Sequence, residues 1–388
     1  MEKNTKKMLD FIFVEPCPTS KKHYIKGANT KLCSLCVALF SYPFPELTER
    51  NMSEEEKQHD IQTESVWQEQ SMLPKKMKSE TIQTLHETID REWSALQRTA
   101  CQTAAGRALW NHVIHDPVAD VLAGESFLKS LREKISKDKL NNAREVSGVI
   151  LAVRTLWFDS KLEAAIKSFG EGEAQVVLLG AGMDARAYRL SCLKESNVFE
   201  VDFAELLQIK ASLIQEAMGS AEQQRKAMIA KSVTSVAADI RDGDWLEKLQ
   251  VSGFALEKST VWVLEGILYY LPHLNAMKVL QTIAANTLLT NTVLLADFMN
   301  ESSASLSLST YHFYSDWPDQ LLEALGFPNI KLSQIGDPDA NFGLLHDPQN
   351  LFNRLRSLPR STKTNPEDGT PCRRLYLVEA SGSPKQSI

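Results

Sequence analysis

Cysteine is scarce in this chain, with six residues at irregular positions among 388. That leaves no disulfide framework and points to a reducing compartment. A cationic excess is also missing. Forty-three Lys and Arg stand against 49 Asp and Glu, for a formal net charge of −6, which excludes the basic footprint of a nucleic-acid binder or of a protein held to an anionic membrane. No apolar run approaches the roughly 18 residues of a spanning helix; Leu32 to Phe44 comes closest and is interrupted by Ser34, Ser41 and Pro43. Metal-ligand spacing is lacking as well. Cys33 and Cys36 have no second Cys or His pair nearby, and His112, His115 and Asp116 precede Pro117 with no further acid or His at ligand spacing, so a polar turn is the expectation and no metal is assigned.

The length fits one large or two small domains. Residues 1–75 read as a weakly structured leader, lysine-rich at its start and polar from Glu54 onward. As a transit peptide it would be unusual, because its positive charge is almost all lysine and acids occur at Glu2, Asp10 and Glu15. A cytoplasmic protein is expected, or an organellar one if the leader is a targeting segment. Residues 76–170 read as a helical cap. Ile82, Leu85, Ile89, Trp93, Leu96 and Ala100 recur at helical spacing and predict a helix from Ser79 to Trp110. Val149, Val153, Leu156, Leu162 and Ile166 predict an amphipathic helix over Glu145 to Phe169.

Residues 171–388 read as a ligand-binding domain organised around Gln175 to Asp202. Val176 to Leu179 is a short apolar run ending at Gly180 and Gly182, which is the pattern of a buried strand turning sharply where backbone can approach a ligand. Asp184 is suited to opening a following helix. A second strand, Val198 to Phe203, carries Asp202 near its carboxyl end. At a strand–loop–helix–strand remove from Gly180, that acid can reach a ribose hydroxyl. Further alternation follows, with strands over Ser235 to Ile240, Thr260 to Leu264, Thr292 to Phe298 and Leu375 to Glu379, and helices over Asp242 to Leu249 and Pro272 to Leu289. It predicts an α/β fold with a doubly wound, mostly parallel sheet covered on both faces.

Gly180, Gly182 and Ala185 also fit a loose dinucleotide loop, so a nicotinamide enzyme is one reading. Asp184 opposes it, because a carboxylate would repel a pyrophosphate at that point. S-adenosyl-L-methionine has ribose and adenine, no phosphate, and a sulfonium and an ammonium, and acidic surroundings suit it. Arg154 lies in the predicted second helix between apolar neighbours. It is either a surface group or a buried cation in need of an anion. Glu265 ends a strand where ligands bind in open sheets.

Arg154 to Asp159, Leu179 to Leu190, Val198 to Phe203 and Glu265 to Pro272, in that set and order, resemble the leucine carboxyl methyltransferase family. The loop from Ala185 to Leu190 is closer to its bacterial-type branch than to its protein phosphatase methylating branch, and His115 to Ala119 is similar to a segment of that bacterial branch. The resemblance implies an S-adenosylmethionine-dependent O-methyltransferase on a seven-stranded Rossmann-like sheet with an N-terminal helical cap. It implies that Gly180 and Gly182 form the cofactor loop, that Asp202 holds the ribose, and that Asp239 and Ile240 contact adenine. Asp239 could instead cap a helix. It further implies Arg154 on the cofactor carboxylate; the place of Glu265 after a mostly apolar strand makes the cofactor's ammonium its expected partner. The acceptor stays open between a small molecule and a protein C-terminus, and between a carboxylate, which needs no base, and a hydroxyl, which does. Tyr269, Tyr270 and His312 are catalytic candidates by position, alongside His273, Tyr311 and Tyr314; the aromatics equally suit an acceptor-pocket wall. A cofactor-binding scaffold without catalysis is the remaining reading.

Overall fold

Alternate residues of the apolar strands face opposite ways, and helices bury both sides of the sheet they form. A computed structural model describes residues 79–140, 148–170, 174–305, 310–344, 363–365, 369, 372–373 and 375–384. The leader expected over residues 1–75, with its Cys33 and Cys36, lies outside the described residues. The strands are β1 (Gln175–Leu179), β2 (Asn197–Asp202), β3 (Ser232–Ala237), β4 (Thr260–Leu264), β5 (Thr292–Met299), β6 (Asn329–Ser333) and β7 (Leu375–Gly382). They pair in the order β3-β2-β1-β4-β5-β7-β6. β1 to β5 are mutually parallel, and β7 runs antiparallel to both β5 and β6.

Val176, Leu178, Val198, Val261 and Val263 pack on one side with Leu162 and Leu213 of the flanking helices Val149–Ser168 and Ala204–Met218. Val177, Leu179, Phe199, Val201 and Trp262 pack on the other with Leu249, Val279 and Ile283 of helices Trp245–Val251 and His273–Asn286. Burial on both faces explains why the strands read as continuous apolar runs rather than alternating ones. β1 sits between β2 and β4. The chain order reverses there, and a crevice opens beyond the carboxyl ends of the strands at such a switch point.

Several elements differ from the sequence expectation. No α-helix follows the glycine loop; single turns at Arg186–Tyr188 and Ser191–Leu193 take its place. Asp184 accepts from the Arg186 N–H at 2.7 Å and pairs with the Arg186 guanidinium, while Arg186 and Arg189 both turn onto Asp159. Those buried pairs fix side chains in positions a regular helix would pull apart. The helix expected from Ser79 to Trp110 is two helices, Glu80–Glu92 and Ala95–Leu109. Ser94 interrupts it by capping the second, its hydroxyl accepting from Gln97 N while Gln97 Oε1 accepts from Ser94 N. The helix expected from Glu145 is described from Val149, residues 141–147 being outside the described set. It is not amphipathic, because it is wedged between the sheet and the cap and buries Trp157, Phe158, Arg154 and Asp159 on different sides. β3 ends at Ala237, three residues early, where the ladder to Asp202 stops. Asp239 instead folds a turn by accepting from Arg241 N, and the next helix begins at Trp245 rather than Asp242. The edge strand β6 and helix Pro318–Leu325 had no counterpart in the sequence reading.

Candidate active site

The glycine loop lies against β2, with the N–H groups of Gly180 and Ala181 donating to the Val201 carbonyl at 2.9 and 3.2 Å. Gly180 has φ +70°, and a Cβ there would come within 2.8 Å of Ile267. Gly182 has φ +49°, with Ala100 of the cap 3.2 Å from where its Cβ would be. Both positions need glycine, for conformation and for space. Asp202 closes the loop from β2. One of its oxygens accepts from Gly182 N at 2.7 Å and the other from Phe203 N at 2.8 Å. A carboxylate oxygen takes two donors, so each keeps room for another. Burial raises the Asp202 pKa, and the two N–H bonds only partly oppose it.

A network of buried charges forms the other end of the crevice. Arg154, 6% exposed, donates from Nε to Glu265 at 3.1 Å and from Nη1 to Asp297 at 3.2 Å and the Tyr269 hydroxyl at 3.3 Å. Its Nη2 has no hydrogen-bond partner among the described residues. Gly266, at φ +72°, makes room for this guanidinium: a Cβ would lie 3.2 Å from Nη1 and 3.3 Å from Nη2. Glu265 also accepts from Arg186 Nη2 at 2.5 Å. Arg186 in turn reaches Asp159 at 2.7 Å, and Arg189 grips the same carboxylate. Burial works to raise the pKa of Glu265, but Arg186 and Arg154 outweigh it and hold the carboxyl below its ordinary value. The same contest, with Arg186 as the main opposing charge, puts Asp184 at about 2. For Asp297 burial prevails over Arg154, and its pKa is raised. Arg107, from helix Ala95–Leu109, pairs with Asp116 at 2.7 Å and donates to the Met183 carbonyl.

The carboxylates Asp116, Asp159, Asp184, Asp202, Glu265 and Asp297 outnumber the guanidiniums Arg107, Arg154, Arg186 and Arg189 around this crevice. Such an excess favours a cationic ligand over an anionic one. The residues present fit S-adenosyl-L-methionine: a loop without side chains at Gly180 and Gly182, an acceptor for a ribose with spare lone pairs at Asp202, an unpartnered guanidinium nitrogen and negative surroundings.

Of the residues singled out from sequence, the crevice brings together Arg154, Gly180, Gly182, Asp202, Glu265, Tyr269 and Tyr270. Asp239 and Ile240 lie past the end of β3 and outside its lining; Asp239 holds Arg241, which stacks over the lining residue Phe203. His312 is exposed and away from the lining, although its backbone N–H donates to the Tyr269 carbonyl. Tyr311 is buried against Tyr269 and Tyr270, His273 packs on Phe313, and Tyr314 is exposed. Sequence reasoning missed Arg186, Asp159 and Asp297 as members of the charge network. Asp297 was within reach of it, since it is an acid near the carboxyl end of an otherwise apolar strand, β5. It also missed the wall that Leu96, Thr99, Ala100 and Thr103 of the cap contribute. Among the described residues, no group of three or more His, Cys, Asp or Glu is arranged to hold a metal, and no helix is long and apolar enough to cross a membrane.

Comparison with known proteins matches residues 99–284 to the model of a family described as leucine carboxyl methyltransferase. A protein of Mycobacterium sp. (strain JLS), described as "Putative S-adenosyl-L-methionine-dependent methyltransferase", is 31% identical over 233 residues, 58% of this chain and 73% of that protein. Proteins of the same description from Mycobacteroides abscessus and Streptomyces coelicolor are 33% identical over 202 residues and 34% identical over 193 residues. Each match covers 48% of this chain, and the chain spans 62% and 64% of those two relatives.

Proposed function

The chain belongs to the leucine carboxyl methyltransferase family, and on that premise we propose that it is an S-adenosyl-L-methionine-dependent O-methyltransferase acting on a carboxylate or hydroxyl of a small molecule or a protein C-terminus. The observation that carries this reading is Asp202, whose two oxygens are aimed by the Gly182 and Phe203 N–H groups and retain the lone pairs a ribose diol needs. When bound, the cofactor supplies an electrophilic methyl group on a sulfonium. The residues do the rest by positioning. Arg154, through its unpartnered Nη2, would hold the carboxylate of the cofactor's amino-acid end, and Glu265 its ammonium. Gly180 and Gly182 let the backbone approach, and the surplus of carboxylates favours the bound cation.

Leu96 and Leu151 of the cap, with Tyr270 from the turn after β4, line the crevice and offer the wall for the acceptor. A carboxylate acceptor attacks without a base. A hydroxyl acceptor must lose a proton to a base, which for Tyr269 means its phenolate; Tyr269 lines the crevice with its oxygen beside Arg154, whereas His312 lies away from the lining. A dinucleotide is disfavoured because the loop after β1 leads into single turns rather than an α-helix, so no helix N-terminus is present to hold a pyrophosphate.

The test is to incubate the protein with methyl-labelled S-adenosylmethionine and matched panels of acids, phenols, alcohols and peptides ending in leucine. Labelled product is expected, released as volatile methanol by mild base if it is an ester and stable if it is an ether. Thermal shifts run alongside should show stabilisation by S-adenosylhomocysteine and none by NADH. Binding without any transfer would favour the scaffold reading, and stabilisation by NADH alone would favour the dinucleotide one.

A further inference from the structure

The segment around Asp116 does not line the crevice, yet its carboxylate holds Arg107, which does. Asp116 is buried, and its side chain is fully shielded from solvent. His115 adopts φ +55°, a conformation that non-glycine residues rarely take without a local reason. The turn it makes leads directly into Asp116. There the Asp116 N–H donates to Asn111 Oδ1, one carboxylate oxygen accepts from Val118 N at 3.1 Å, and the other takes Arg107 Nε at 2.7 Å. The far nitrogen of the same guanidinium donates to the carbonyl of Met183. Met183 is the residue directly after Gly182.

We infer that Arg107, oriented by Asp116, is a positioning residue that fixes the glycine loop for cofactor binding by holding the Met183 carbonyl. Three observations carry this. The planar fork of an arginine fixes two acceptors in one geometry, and here they are a buried carboxylate from the cap and a backbone carbonyl from the loop. Ala100, two helical turns before Arg107, sits 3.2 Å from the space a Gly182 side chain would need, so one helix face touches two consecutive loop residues. The loop itself is irregular backbone with no α-helix behind it, and a segment of that kind depends on outside partners to hold one conformation. Arg107 thus replaces the rigidity that a helix following the loop would supply. The sequence signature is an arginine nine residues before the Asp of His115-Asp116-Pro117.

This inference rests on the cofactor reading, and its test separates the two. S-adenosylhomocysteine binding is measured by calorimetry for the full chain, for Asp116→Asn and for Arg107→Lys, with thermal unfolding recorded for each. Asp116 does not line the crevice, so Asp116→Asn disturbs the ligand only through Arg107. Both variants are expected to raise Kd at least about tenfold at a temperature where they remain folded. Adding a smaller perturbation, Asn111→Ala removes only the acceptor that holds the Asp116 backbone. It is expected to raise Kd by a lesser factor, and it carries the test if the other two fail to fold. An unchanged Kd alongside a lowered melting temperature would overturn the inference by reducing Arg107 to a structural brace. No binding by the unsubstituted chain would instead overturn the cofactor reading, and the inference with it.

Discussion

Replacing Asp202 by Asn removes one charge while keeping the side chain's shape, and the structure gives its consequence. The carboxylate now satisfies two backbone donors, Gly182 N and Phe203 N, with one oxygen each. An amide offers only one oxygen, so its NH2 must face one of those donors or turn away, and the surface presented to the ribose loses an acceptor. Hydrogen bonds to charged groups contribute about 1.5–3 kcal/mol and neutral ones about 0.5–1.5 kcal/mol. Weakening the ribose contacts should therefore cost about 2 kcal/mol in binding, or roughly a thirtyfold rise in the S-adenosylhomocysteine Kd. Stability should change less, because the buried carboxylate is itself disfavoured, as its raised pKa records, and a neutral amide escapes that penalty. The same shift sets a pH dependence. The accepting form of Asp202 is the ionised one and its pKa lies above 3.8, so binding should weaken as pH falls through that raised value, and Asp202→Asn should lack this step. Calorimetric titration of both proteins across acidic to neutral pH is the assay. A Kd within twofold of the parent, or the same pH step in both, would refute the ribose assignment.

Other expectations follow from the charge network and the loop. Asp184 has a pKa of about 2 against an ordinary 3.8, so its pairing contributes about 2 kcal/mol of stability above pH 3.8 that is lost as pH falls toward 2. Asp184→Asn should flatten that part of an acid unfolding curve, and an unaltered curve would contradict the pairing. Gly180→Ala should lower stability by about 1–3 kcal/mol, measured by denaturant unfolding, through its positive φ and the contact with Ile267. Adding Ile267→Ala should recover the contact part only, and no recovery would show that the contact is unimportant. Glu265→Gln removes the anion shared by Arg154 and Arg186. It should destabilise by about 3 kcal/mol or more, and a loss under 1 kcal/mol would mean the network relaxes to replace it.

Much of the sheet was readable because its physics is local. β1 and β4 are apolar runs closed by glycine and an acid, and β5 is an apolar run broken only by Asp297. A strand buried on both faces leaves that mark whatever surrounds it. β6 leaves almost none. Asn329–Ser333 is five residues of mixed polarity at an edge, ordered by antiparallel pairing with β7, some fifty residues away in sequence. The absent helix after the loop has a similar cause. Ala185 to Leu190 contains nothing hostile to a helix, but Asp159, Glu265 and Asp184 claim the Arg186 guanidinium and override the local preference. At the site, Gly180, Gly182, Asp202 and Glu265 could be found from strand ends alone. Arg154 could be suspected from its apolar neighbours, whereas its pairing with Asp297 spans 143 residues and no spacing rule reaches that far.

If the crevice holds a phosphate-free, positively charged nucleoside between Asp202 and Arg154, a crystal structure of the protein with S-adenosylhomocysteine will show both ribose hydroxyls on the Asp202 carboxylate and the ligand's own carboxylate on Arg154 Nη2. A ligand bound elsewhere, or one reversed so that adenine meets Arg154, would contradict it.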